Sequence, residues 1–146
     1  KRTENLGRVM GWAPQAAVLS HEAVGGFVSH CGWNSVLESL WFGVPIATWP
    51  MYADQQVNAF WLTTEVGVAD KITVEYKRDL GRGRANMIVS GAEVEGGIRR
   101  LMEEGGEARK KVQLMREASR KAVGSDGSSS AWAGRFVDAV IRGISD

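Results

Sequence analysis

The sequence predicts an α/β fold, a parallel and doubly wound sheet with helices on its faces. Two observations carry that prediction. Short β-like runs alternate with helical stretches through the first half of the chain. The composition is that of one globular domain or a large piece of one: 146 residues, 44% apolar and 24% charged.

The elements follow in order. Arg8-Val9-Met10-Gly11 reads as a first short strand, and Pro14 suits the first turn of a short helix through Ala17, Val18 and Leu19. Gly25-Gly26-Phe27-Val28-Ser29 reads as a second strand. A helix starting near Asn34 or Ser35 then carries Val36, Leu37, Leu40 and Trp41 at helical spacing and ends at Gly43. Val44-Pro45-Ile46-Ala47-Thr48 reads as a third strand. Asp54 is placed to cap a helix reaching about Glu65, and Val68-Ala69 and Thr73–Tyr76 read as further short strands. Residues 77–84, rich in glycine and charge, read as an exposed loop. Ser90-Gly91-Ala92-Glu93 is a capping box, followed by an apolar face of Val94, Ile98, Leu101 and Met102. Ala108, Val112, Met115 and Ala122 mark a basic amphipathic helix whose stripe packs on the sheet. After a polar break at residues 124–130, Trp132, Phe136 and Val140 at four-residue steps mark a last helix.

Composition excludes several classes of function. The net charge of +1 offers no basic field for nucleic acid. No apolar run approaches the ~20 residues that cross a bilayer. The opening Lys1-Arg2-Thr3-Glu4-Asn5 carries no signal-peptide pattern. The single cysteine, Cys31, forbids an internal disulfide and fits a reducing compartment, so a cytoplasmic location is expected. With only His21 and His30 beside it, a structural zinc site is not expected.

In a parallel sheet, ligands sit at the carboxyl edge of the strands. After the first predicted strand come Trp12, Ala13 and Gln15; after the second, His30, Gly32, Trp33, Asn34 and Ser35; after the third, Tyr52, Asp54 and Gln55. A helix start offers unpaired N–H groups and a positive dipole end, and Gly32 permits close approach to the backbone. With His30, Asn34 and Ser35 alongside, this describes an anion site of the phosphate type. Glu38, one turn further on, can accept from two ribose hydroxyls. Asp54 and Gln55 can bond sugar hydroxyls, and Trp12 offers a flat face to a base. Each residue has an ordinary use as well: core tryptophans, a helix-capping Asn or Ser, an N-cap Asp, a surface Glu. Their joint placement at successive strand ends is what points to a ligand. A nucleophilic role for Cys31 is not expected, since no third group is placed to orient a Cys–His pair.

The run Trp12-Ala13-Pro14-Gln15, His30-Cys31-Gly32-Trp33-Asn34-Ser35, Glu38, Gly43-Val44-Pro45 and Asp54-Gln55 resembles, end to end and without a gap, the signature box of plant UDP-dependent secondary-product glycosyltransferases. The resemblance implies a Rossmann-like sheet forming the C-terminal half of a GT-B enzyme, truncated at its N-terminal strands. Residues 1–146 would then be the nucleotide-sugar-binding C-terminal domain, with the N-terminal acceptor domain absent. It implies that Trp12, Ala13, Gln15, His30, Gly32, Asn34, Ser35 and Glu38 bind UDP. Trp33, Asp54 and Gln55 would bind the sugar, with Gln55 favouring glucose over galactose. The family transfers glucose from UDP-glucose, with inversion, to a hydroxyl of a small phenolic acceptor such as a flavonoid. Its histidine base and supporting aspartate have no matching position here, so no catalytic residue is expected in this chain, which alone should be inactive. No Asp-x-Asp motif occurs, so neither a metal nor another cofactor is expected. The full-length protein is expected to be a monomer.

A non-catalytic UDP-sugar-binding module is the alternative; supplying the missing half and assaying transfer to a phenol separates the two. A dinucleotide-binding oxidoreductase would need G-x-G-x-x-G and a P-loop enzyme G-x-x-x-x-G-K-[ST], and neither occurs.

Overall fold

The computed structural model describes residues 5–74, 88–104 and 106–144. Three strands, β1 (Phe27–Ser29), β2 (Ile46–Thr48) and β3 (Ala69–Lys71), lie side by side in that order, all parallel. The register sets Val28 beside Ala47 and Ala47 beside Asp70. All three residues of β2 are buried, as expected of a central strand covered on both faces.

Alternation along β2 divides the core in two. Ile46 belongs to a cluster with Cys31, Val36, Leu40, Ala59, Leu62, Val68 and Val112. Val36 and Leu40 come from α2 (Trp33–Phe42), Ala59 and Leu62 from α3 (Gln55–Phe60) and its continuation, and Val112 from α5 (Gly106–Val123), while Cys31 and Val68 lie just outside β1 and β3. Ala47, pointing the other way, packs with Ile72 and Leu101, and with Trp49, Val89 and Val94 at the margin. That side is covered by α4 (Gly91–Arg99) and the π-helical stretch Arg100–Glu104 that continues it. Burying one such aliphatic side chain contributes roughly 1.5–3 kcal/mol, so both faces of the short sheet matter to its stability.

Local chemistry fixes the helix ends. Gly43 adopts a left-handed conformation (φ 72°) and closes α2, and Val44 N–H then bonds the Ser39 carbonyl at 3.0 Å. Past α3 the backbone widens into a π-helical turn, Trp61–Val66, which Gly67 ends in the same left-handed way (φ 70°). Ser90 and Glu93 form both halves of the predicted capping box, with Glu93 N–H on Ser90 Oγ at 3.2 Å and Ser90 N–H on the Glu93 carboxylate at 2.7 Å. Bonds from the Ser90 hydroxyl and then its amide hold the Glu93 carboxyl below the usual range. Gly97 lies so close to β3 that a Cβ there would stand 2.5 Å from Ile72 Cγ1 and 3.2 Å from the Lys71 carbonyl oxygen.

Several expectations change. Residues 8–11 form no strand; Val9 is fully exposed, and among the described residues nothing pairs with them. A β pattern specifies a strand only where a partner accepts its hydrogen bonds. The helix expected at Asn34 or Ser35 starts at Trp33, with Gly32 as its N-cap. Asp54 makes no side-chain cap, although α3 does begin at the next residue. Thr73 and Val74 lie outside any strand, while Glu75, Tyr76 and the predicted loop at 77–84 fall outside the described residues. The polar break ends earlier than expected, at Gly127, and α6 runs Ser128–Ile144. No residue of α6 is buried; its apolar stripe of Trp132, Phe136 and Val140 is exposed. Among the described residues, no helix is long and apolar enough to cross a membrane.

Candidate functional site

The junction preceding α1 (Gln15–Leu19) is tied directly to the one after β1. Gln15 opens α1, and its side-chain Nε2 donates to Ser35 Oγ at 3.1 Å and to Glu38 Oε2 at 2.9 Å. Ser35 and Glu38 lie three residues apart on α2, and so on one face, which lets a single amide reach both. The fork leaves Glu38 half-buried with one carboxylate oxygen engaged and the other without a partner among the described residues.

The junction after β1 turns through an unusual backbone. Cys31 has a positive φ of 63°, which a residue with a side chain adopts at a cost of roughly 1–2 kcal/mol. Its surroundings hold it there. Cys31 N–H donates to Ser29 Oγ at 3.1 Å, its thiol lies 3.5 Å from the Ser29 carbonyl, and its own carbonyl accepts from Asn58 Nδ2 at 3.0 Å. The thiol is fully buried, and that burial pushes its pKa up to about 11, against a smaller opposing pull from the Trp49 backbone. Cys31 is therefore a core residue and a poor nucleophile at neutral pH, as expected.

From that turn the chain enters α2 through Gly32, and no side chain caps the helix. The first-turn amides of Trp33, Asn34 and Ser35 precede the first intrahelical bond, Val36 N–H to Gly32 O at 3.0 Å. The imidazole of His30 folds over Gly32: a Cβ on Gly32 would stand 2.6 Å from His30 Nε2 and 3.0 Å from Cε1. Glycine is needed here for that approach, not for its φ of −62°.

The junction after β2 has a second positive φ, 55° at Ala53. Gln55, only 3% exposed, turns its Oε1 back to accept Met51 N–H at 2.8 Å and Tyr52 N–H at 3.0 Å. Its Nε2 bonds nothing else among the described residues. The Asp54 carboxylate accepts from Asn58 Nδ2 at 2.9 Å, the same amide that holds Cys31.

Gln15, Ser35 and Glu38 thus form one bonded group, and Asp54 is linked through Asn58 to the turn beside Gly32. Trp12, Ala13 and Asn34 share these junctions by chain position, without a bonded partner in either group. Trp12 is fully exposed, while Trp33 is half-exposed with its ring against Trp61, centroids 6.2 Å apart at 53°. A separate groove of about 460 Å³ runs along α4 between Val94, Ile98 and Met102 and contains none of the predicted site residues. Sequence reasoning missed Asn58 and the two positive-φ residues. The only available signal was the spacing of Asp54 and Asn58, four apart on one helix face.

The family model described as UDP-glucoronosyl and UDP-glucosyl transferase matches residues 1–80, more than half of the chain and every predicted site residue. The chain belongs to that family. Among its relatives, anthocyanidin 3-O-glucosyltransferase 6 of Manihot esculenta is 52% identical over 145 residues, 99% of this chain and 36% of the relative. UDP-glucose flavonoid 3-O-glucosyltransferase 6 of Fragaria ananassa is 56% identical over 95% of this chain and 28% of its own length. The chain therefore spans roughly a third of these UDP-glycosyltransferases. Of solved structures, Medicago truncatula UGT71G1 complexed with UDP-glucose superposes with a TM-score of 0.80 at 52% identity, over 89% of this chain and 27% of that one. A UGT transferase from Siraitia grosvenorii in complex with UDP gives 0.84 at 53% identity, over 96% and 31%. The parallel sheet and its helices are thus part of a GT-B glycosyltransferase fold.

Proposed function

We propose that this chain binds UDP-glucose and is the donor-binding part of a UDP-glucosyltransferase. The observation that carries the reading is the fork from Gln15 to Ser35 and Glu38 beside an uncapped helix start. It sets a fixed carboxylate one turn from a cluster of free amides, the spacing of a ribose and its phosphates. Trp12 stacks on the uracil, with the Ala13 backbone and Gln15 holding base and ribose. The free oxygen of Glu38 accepts from ribose hydroxyls. His30, Asn34, Ser35 and the Gly32 backbone bind the diphosphate, and Trp33, Asp54 and Gln55 bind the hexose.

The chemistry follows from charge. When an acceptor hydroxyl displaces UDP with inversion, negative charge grows on the departing oxygen. The α2 amides, their dipole and His30 stabilise that charge more in the transition state than in the bound sugar nucleotide. This fits a sequence without an Asp-x-Asp motif, so we assign no metal to the step. The base that takes the acceptor's proton, and the surface that binds a small phenolic acceptor, belong to chain outside these residues. The exposed stripe on α6 is apolar surface available to that remainder. Two relatives solved in complex with UDP-glucose or with UDP support the reading.

Titrating the chain's tryptophan fluorescence with UDP-glucose tests it. Saturable quenching that UDP competes away is the expected result. A folded sample whose signal neither ligand changes would contradict the assignment.

A further inference from the structure

We infer that Asn58 is a positioning residue that holds the diphosphate end and the hexose end of the donor site in register; the inference rests on the donor-binding reading above. Its side-chain nitrogen carries two hydrogens and uses both, one on the Cys31 carbonyl at 3.0 Å and one on Asp54 Oδ2 at 2.9 Å. Both partners only accept, so the amide has one workable orientation. The bond to Cys31 reaches from α3 to the left-handed turn that delivers Gly32 and the α2 amides. The bond to Asp54 fixes the carboxylate assigned to the hexose.

Three features set Asn58 apart from a surface asparagine. It lies inside a helix, where asparagine is a poorer former than alanine, so its identity there is not explained by local propensity. It is half-buried where α3 meets the β1–α2 turn. The carbonyl it holds belongs to a residue at φ 63°, where the backbone needs external support. Releasing that carbonyl lets the turn relax and shifts the α2 start, while releasing Asp54 frees its carboxylate to rotate away from a hydroxyl. The first change touches any ligand with a diphosphate; the second touches only one that carries a sugar.

That difference supplies the test: calorimetric affinities for UDP and UDP-glucose, with melting temperatures, in the wild-type chain, Asn58→Ala, Asn58→Asp and Asp54→Ala. Asn58→Ala should weaken UDP-glucose by roughly tenfold more than it weakens UDP, about the effect of one charge-assisted hydrogen bond. Asn58→Asp keeps the size of the side chain but turns an acceptor on two acceptors, and should lower the UDP-glucose to UDP ratio at least as far. In an Asp54→Ala background the ratio should not fall further on adding Asn58→Ala, although UDP affinity still drops. A purely structural Asn58 would lower the melting temperature and leave the ratio untouched, and that result overturns the inference. So would additive effects of the two substitutions on the ratio. A folded wild-type chain that binds neither ligand overturns the donor-site reading itself, and this inference with it.

Discussion

Gln55 is given two duties, and substitution can separate them. Its Oε1 accepts two backbone N–H groups, from Met51 and Tyr52, in a side chain that is 3% exposed. On the proposed reading, its Nε2 serves the hexose. Gln55→Leu preserves approximate bulk and strands both amides. At a net ~1 kcal/mol per hydrogen bond the loss is about 2 kcal/mol. For a chain of this size each kcal/mol corresponds to roughly 2–4 °C, so the melting temperature should fall by about 4–8 °C. Gln55→Glu offers an oxygen to the same two amides in either protonation state, and the two donors offset much of the cost of burying its charge. It should recover most of that loss. It also removes the amide donor, so UDP-glucose binding should stay weakened while UDP binding stays close to wild type. Thermal melts and calorimetric titrations on the three proteins measure both effects. If Gln55→Leu melts with wild type, the two bonds do not hold the loop. If Gln55→Glu binds UDP-glucose as tightly as wild type, the amide has no part in donor recognition.

Trp12→Ala should weaken UDP by about 1–3 kcal/mol, the range for one base stacked on an aromatic ring, without moving the melting temperature, because the ring is fully exposed; calorimetry beside a thermal melt checks both. The pKa of Cys31 is raised from 9.0 to about 11, so the unfolded thiol ionises first as pH rises and the folded state loses relative stability. Urea unfolding should therefore show stability falling from about pH 9 toward about pH 11, with a shallower fall in Cys31→Ala; parallel profiles would contradict the burial. Adjacent glycines in α4 should respond with opposite signs. Gly97→Ala, whose Cβ would crowd Ile72, should cost about 1–3 kcal/mol of overpacking, while Gly96→Ala, with its nearest neighbour at 3.4 Å, should gain up to about 1 kcal/mol of helix propensity by chemical denaturation.

What could be read from the sequence is what short-range chemistry determines. The apolar spacing of Val36 and Leu40, the left-handed Gly43 and the Ser90–Glu93 box each act within a few residues, and each is where it was expected. The grouping of Ser35 and Glu38 was legible from helical spacing, although the amide that joins them comes from Gln15, twenty residues earlier. The misses share one cause, a partner distant in sequence or invisible in residue type. The β pattern of residues 8–11 has no acceptor strand among the described residues. Asp54 fails as a cap because Ala53 has already turned the chain, leaving Asp54 with helical angles and its carboxylate free for Asn58. Nothing in a cysteine or an alanine announces a positive φ, so the turns that aim the site, and the asparagine that holds one of them, appear only in three dimensions. Gln55 shows the same limit: its type suggested a sugar contact, while its second role depends on amides of a loop whose path the sequence does not specify.

Backbone amide NMR shifts of the chain, followed as UDP-glucose is added, probe whether three separate segments make a single ligand site. Trp12, Ala13 and Gln15 should move together with residues 30–38 and 51–58 along one binding curve, while the α4 groove and α6 stay still. Shifts confined to one of those segments, or centred on Val94, Ile98 and Met102, would contradict it.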